Sequence, residues 1–177
     1  MGKGIIVCGL NGSGKSTLAK ALAGAMGFHF IDNEDLFFPK TDARYLYASG
    51  RTREEVTRLL MDEVCAHEDF VFAAVKGDYG KAIAPFYRFA VVICVPKDER
   101  MRRIRSRSYE KFGGRMLPGG DLHEREEAFF AIADAREERY VEDWVQTLDC
   151  PVIRVDGMKP VAENVARIMA WLQNATA

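Results

Sequence analysis

Gly9-Leu10-Asn11-Gly12-Ser13-Gly14-Lys15-Ser16 carries three glycines, a lysine and two serines, with Gly9, Gly14, Lys15 and Ser16 at the spacing G-x-x-x-x-G-K-S/T. Each residue type answers a demand of a polyphosphate. Glycines let the backbone curl until successive N–H groups point inward at phosphate oxygens. The helix expected to open near Gly14 adds the positive end of its dipole. Lys15 is suited to reach the β- and γ-phosphates as a point charge, and the Ser16 hydroxyl to ligate Mg²⁺. The nucleotide-binding set is therefore Gly9, Asn11, Gly12, Ser13, Gly14, Lys15, Ser16 and Thr17, with ATP and Mg²⁺ as the implied cofactors. A glycine-rich turn without a ligand would leave the placement of Lys15 and Ser16 without a reason.

The rest of the chain narrows the reaction. There is no Asn-Lys-x-Asp segment for reading guanine, and no apolar run ends in the Asp-Glu of an ATPase that activates water. Instead Arg100, Arg102, Arg103, Arg105 and Arg107 precede a segment at residues 112–121 with four glycines, a proline and Arg115; Arg136 and Arg139 come after it. Arg100, Arg103 and Arg107 are expected to share one helix face, with Met101 and Ile104 marking the buried side. Phosphoryl transfer to a small acceptor asks for positive groups around the migrating phosphoryl and a lid that excludes water.

Candidates for the acceptor are less specific. Asp32 closes an apolar run, at the end of a parallel strand where ligand crevices form; a helix N-cap or turn role is the alternative. Asp32 or Asp78 is expected to orient metal-bound water or to take the acceptor's proton. Arg44, Arg51 and Arg53 lie between the second and third runs, where an anionic acceptor would want them, although each reads equally well as a surface residue. Lys76 and Arg115 complete the acceptor-side set. His29, His67 and His123 have no partners in spacing and read as structural or surface residues. A long helix after the lid is expected to carry Arg136, Tyr140 and Trp144, the two aromatics as core.

Short apolar runs at residues 5–10, 28–31, 70–75, 89–95 and 152–155 have the length and continuity of strands covered on both faces. Segments of helical period alternate with them: Leu18, Leu22 and Ala25; Val56, Leu59, Leu60 and Val64; Val161, Val165, Ile168 and Leu172. Thr52 before Arg53-Glu54-Glu55 reads as an N-cap. Together these imply an α/β fold with an approximately five-stranded parallel sheet and helices on both faces. One domain is expected over 1–177, with an acceptor-binding insertion at about 33–68 and a glycine-rich lid loop at about 108–122.

The 177 residues carry 25 basic and 26 acidic side chains, so the net charge of −1 supplies no global attraction to nucleic acid or to an anionic membrane. Cys8, Cys65, Cys94 and Cys150 are far apart, without metal-binding spacing. Cys8 and Cys94 fall inside apolar runs and read as small hydrophobes. No signal-peptide layout or membrane-length run is present, and a cytoplasmic protein is expected, with a small-molecule phosphate acceptor as partner.

On these residues the chain resembles the nucleoside-monophosphate-kinase-like group of P-loop kinases, which includes adenylate, shikimate and gluconate kinases. Val95-Pro96 followed by Arg103 and Arg107 is similar to the way adenylate kinases lead into their lid. Arg136 with Tyr140, then Cys150-Pro151-Val152-Ile153 and Asp156-Gly157, resembles the stretch after the lid in those enzymes. The resemblance implies that Arg103 lies beside the adenine ring and that Arg107 and Arg136 contact the transferring phosphate, making Lys15, Arg107, Arg136 and Asp32 the catalytic set. The chain departs from adenylate kinases where they carry Asp-Gly-Phe-Pro-Arg, reading Lys76-Gly77-Asp78-Tyr79 instead. Ala74-Val75-Lys76 with Tyr79 is similar to a gluconate-kinase segment, and Asp32 resembles the acceptor-side Asp of shikimate kinases. The implied activity is ATP-dependent phosphorylation of a nucleotide, nucleoside, sugar acid or shikimate-like alcohol. The alternative is a regulatory nucleotide-binding NTPase that uses water.

Overall fold

A computed structural model describes residues 2–175. Five parallel strands, β1 (Gly4–Cys8), β2 (His29–Asp32), β3 (Phe70–Ala74), β4 (Tyr87–Cys94) and β5 (Val152–Asp156), form one sheet in the order β2-β3-β1-β4-β5. The apolar runs are continuous because both faces are covered. In β1, Ile5 and Val7 face one core with Leu18 and Leu22 of α1 (Lys15–Met26) and Ile168 and Leu172 of α7 (Val161–Ala175). Ile6 and Cys8 face the other, with Leu60 and Val64 of α3 (Arg53–Ala66) and Val141 and Val145 of α6 (Arg139–Val145). The expected α/β fold is present, strand for strand. Among the described residues no helix is long and apolar enough to cross a membrane.

Strand order has a functional consequence. The chain leaves β1 and returns to the sheet beyond β3, and later adds β4 on β1's other side. Such a reversal opens a crevice at the strands' carboxyl ends, next to the loop after β1. Thr52 caps α3 as anticipated: its hydroxyl accepts from Glu55 N–H, while the Glu55 carboxylate accepts from Thr52 N–H at 2.8 Å, a reciprocal pair that satisfies two otherwise orphaned donors.

Three elements differ from the sequence reading. Residues 33–37 form a short helix, α2 (Asn33–Phe37), too brief to show a period. The segment expected to be an open lid loop is ordered. Between α4 (Lys97–Phe112) and α5 (His123–Ala135), Gly113–Met116 winds a 3₁₀ turn, and Met116 joins Ile104, Phe130 and Ala133 in a small core of their own. The expected long helix is also broken. Arg136 has extended backbone, φ −76° and ψ 116°, so α5 ends before it and α6 begins at Arg139. Cys8 is buried as expected, but Cys94, the last residue of β4, is exposed.

Phe72, fully buried in β3, packs against the rings of Tyr87 and Tyr79. Phe72→Ala is expected to cost about 3–5 kcal/mol of stability, read as a lowered denaturant midpoint at unchanged slope. A loss below ~1 kcal/mol would contradict this packing account.

Candidate active site

The loop after β1 is fixed from both sides. Gly9 N–H donates to the Val75 carbonyl at 3.2 Å, joining the loop to the end of β3. On the other side Arg100, at the start of α4, is 3% exposed; its Nε donates to Val95 O at 3.2 Å and its Nη1 to Asn11 O at 3.4 Å. Of the expected face of Arg100, Arg103 and Arg107, Arg107 is exposed, whereas Arg100 is corrected: it joins Ile104 and Ser108 in the buried row of α4. Arg100 braces the loop from beneath because its long side chain can satisfy two carbonyls that no N–H reaches. Gly12 has φ +80°, and a Cβ there would lie 2.4 Å from the Arg100 carbonyl oxygen. Only glycine fits both the backbone and the space.

Two polar groups in this loop have hydrogen-bonding capacity to spare. Ser13 Oγ is buried with no partner among the described residues, although buried hydroxyls are nearly always paired. Lys15 Nζ donates to Leu10 O, at 3.2 Å, which leaves two of its three protons for a ligand. An unsatisfied hydroxyl, an ammonium with donors to spare and the left-handed Gly12 and Gly14 fit an incoming phosphate chain.

Lys15 stands at the floor of a cavity of about 450 Å³, with Ser16, Asp32, Arg107 and Arg136 around it. Its ammonium is pushed down to about 8, first by burial and then by the Arg107 guanidinium; Asp32 opposes the shift and Arg136 adds to it. Arg136 reaches the loop directly, its Nη1 donating to Asn11 Oδ1 at 2.6 Å. The helix break at 136 is what turns this side chain toward the loop. Asp32 serves two ends at once: its Oδ1 caps α2 by accepting from Glu34 N–H at 2.9 Å, and its carboxylate faces the cavity. Arg107 is exposed on the cavity wall.

The far half of the cavity is lined by Asn33, Phe37, Phe38, Asp78 and Tyr79. Tyr79 Oη donates to Asn33 Oδ1. Lys76 and Arg53 border this half, but each is already paired with Asp78, at 3.6 and 3.7 Å. Lys76 also sits 4.3 Å above the ring of Tyr140, which is 42% exposed and not the core residue expected. Trp144 does pack in the core.

Other sequence candidates lie elsewhere. Arg51 donates to Leu36 O at 2.7 Å and closes the end of α2. Arg44 is exposed, and its carbonyl accepts from Arg115 Nη1 at 2.6 Å. Arg115 also pairs with Asp121 at 2.7 Å, so it ties the turn after α4 to the stretch between α2 and α3 and does not line the cavity. Tyr45, whose hydroxyl donates to the buried Glu126 at 3.0 Å, makes a second tie. Arg103 pairs with Glu99 at 2.7 Å and donates to Gly157 O at 3.2 Å, beside the loop but outside the cavity. Thr17 is exposed on α1. Asn33, Tyr79 and Tyr140 also border the cavity; Tyr79 and Tyr140 entered the sequence reading through the family resemblance, and Asn33 was not singled out, because α2 is too short to show a period. A separate hollow of about 50 Å³ beneath Leu10 and Arg100 is too small for a substrate.

Gly12→Ala is expected to weaken ADP binding by at least ~100-fold, since the added methyl must displace the loop from the position in which its N–H groups converge. Calorimetric titration of the variant checks this, with circular dichroism to confirm the fold. Unaltered affinity would contradict the fit of loop to Arg100.

Comparison with known proteins agrees with this geometry. The family model for the AAA domain, AAA_18, matches residues 5–129, from β1 into α5. A curated relative, the uncharacterized protein YqaC of Bacillus subtilis (strain 168), is 24% identical over 98% of this chain and 99% of its own length. Among solved structures, a sugar kinase from Janibacter sp. HTCC2649 superposes with a TM-score of 0.56 at 21% identity, covering 98% of this chain and 95% of that one. A gluconokinase from Sinorhizobium meliloti 1021 gives 0.54 at 17% identity, over 99% and 98%. The deoxyadenosine kinase of M. mycoides gives 0.57 at 15%, over 97% and 99%. These likenesses establish a P-loop kinase fold, and, with 5–129 matched, the chain belongs to the AAA_18 family of AAA domains.

Proposed function

We propose that the protein is an ATP-dependent kinase that phosphorylates a hydroxyl of a small, uncharged polyhydroxy molecule of the sugar or nucleoside class. The observation that carries this reading is the continuous cavity that joins the phosphate-binding Lys15 and Ser16 to an acceptor half beyond Asp32. At about 450 Å³ it falls within the usual range for small-molecule sites and leaves room for a second substrate beside a γ-phosphate.

The acceptor class is argued from charge. In the far half Arg53 and Lys76 share the single carboxylate of Asp78, at 3.7 and 3.6 Å, which leaves less positive charge than the doubly charged phosphate of a phosphomonoester calls for. What faces the space instead is Asp32, Asn33 and Glu34, which accept hydrogen bonds from hydroxyls, and the rings of Phe37, Phe38 and Tyr79. Solved structures described as a sugar kinase and a deoxyadenosine kinase share the fold, which supports an acceptor of the sugar or nucleoside class.

Within that reading the residues divide the work. The loop N–H groups and Lys15 bind the phosphates. Ser16 would hold Mg²⁺, which would supply charge neutralisation at the phosphates. Asp32 accepts the proton of the attacking hydroxyl. Arg107 and Arg136, which line the same cavity as Lys15, stabilise charge that spreads over the phosphoryl as it moves.

ATP turnover is to be measured with sugars, nucleosides, sugar acids, shikimate-like alcohols and nucleoside monophosphates as acceptors. Neutral polyols or nucleosides are expected to stimulate turnover and monophosphates to leave it unchanged; equal hydrolysis with every compound selects a water-using NTPase instead. Lys15→Ala is expected to lose at least ~10² in transfer. Arg107→Ala and Arg136→Ala should lower single-turnover transfer by roughly 10²- to 10⁴-fold while ATP binding weakens less than about tenfold. Equal losses in binding and transfer would mean that these arginines serve the ground state only.

A further inference from the structure

At the opposite end of the sheet three residues unused by the phosphate site converge. His29 opens β2, Glu63 lies on α3, and His67 comes four residues later as the C-cap of that helix. Their side chains come from two elements that meet at the sheet edge, so sequence spacing did not relate His29 to the other two. His29 Nε2 lies 2.8 Å from Glu63 Oε2, and His67 Nε2 lies 4.0 Å from the same oxygen. The two imidazoles stack with centroids 3.6 Å apart.

We infer that His29, Glu63 and His67 form a binding site for one divalent transition-metal ion of the zinc class. Their ligand atoms all fall within 4.8 Å of one another. A tetrahedral ion with bonds of about 2.1 Å spaces its ligand atoms by about 3.4 Å, between the separations seen here. Two imidazoles and one carboxylate are a donor set for zinc, nickel or copper, whereas Mg²⁺ prefers oxygen alone. The site is therefore chemically distinct from the Ser16–Asp32 end, from which the length of β2 separates it by roughly 10 Å.

The backbone that carries the ligands is already fixed. His67 N–H donates to Glu63 O, and His29 N–H to Asp69 O, each at 3.0 Å. Only the rings must turn, from stacked to convergent, and χ2 of histidine is a soft torsion. Without an ion the cluster is a half-exposed ion pair beside a stacked ring, an arrangement that contributes little on its own. With the ion it cross-links the start of β2 to the end of α3, and three protein ligands leave one position for water. Because the ion binds the folded chain, it raises folding stability.

The test is calorimetric titration of Zn²⁺ into nucleotide-free protein on a Cys65→Ser/Cys94→Ser background, which removes the two exposed thiols as competing ligands. One equivalent is expected to bind with micromolar or tighter affinity, to persist in excess Mg²⁺ and to raise the melting temperature. His67→Ala, at an exposed helix end, and His29→Gln should each weaken binding by ~100-fold and abolish the thermal shift. Unchanged affinity in both variants, or no binding by the folded background protein up to millimolar Zn²⁺, overturns the inference.

Discussion

Three cations around one cavity set the terms for the rest of the molecule. Lys15, Arg107 and Arg136 face the same space, with Asp32 as the acidic group among them. Like charges brought together in a partly desolvated site repel, and burial together with that repulsion depresses the ammonium of Lys15. Such an arrangement costs stability unless something else holds it, and it becomes favourable once a polyanion enters. The fold supplies the holding. The parallel sheet fixes the loop end of β1 against β3, Arg100 fills the space under the loop, and Asn11 takes up Arg136.

The same logic explains why the second half of the molecule is more elaborate than a simple strand–helix repeat. Arg107 and Arg136 sit on either side of the segment between α4 and α5, which has its own small core around Ile104, Met116 and Phe130. That core lets the segment act as a stiff cover and not as a loose loop. Arg115 and Tyr45 join it to the stretch between α2 and α3, beside the cavity. The two hydrogen bonds hold these segments to each other beside the cavity.

Much of this was legible in the residues themselves. Five strands announced themselves because sheets covered on both faces leave no polar alternation. The phosphate loop was legible because its glycines, lysine and serine are each demanded by the ligand. Less legible were features set by tertiary contact. Arg100 looks like its neighbours in a basic run, and only the loop above it makes it a buried brace. The break at Arg136 has no proline or glycine to mark it. Arg51 looks like an acceptor ligand until α2, itself too short to show a period, presents carbonyls for it to satisfy. His29 and His67 lie far apart in sequence and meet only because β2 and α3 are packed side by side.

The claim that the cavity's cations are arranged for phosphate is tested most directly by proton uptake. Burial and the Arg107 guanidinium hold the Lys15 ammonium of the free protein down to about 8, so that part of the population is neutral in mildly alkaline solution. A bound phosphate chain favours the charged ammonium, raises its pKa and draws in a proton. Calorimetric titration of ATP at pH 8, repeated in buffers of different ionisation enthalpy, should show net proton uptake on binding, and Lys15→Arg should remove it because guanidinium does not titrate there. A binding enthalpy that is the same in every buffer, with nucleotide fully bound, would contradict the placement of Lys15 against the phosphates and the account built on it.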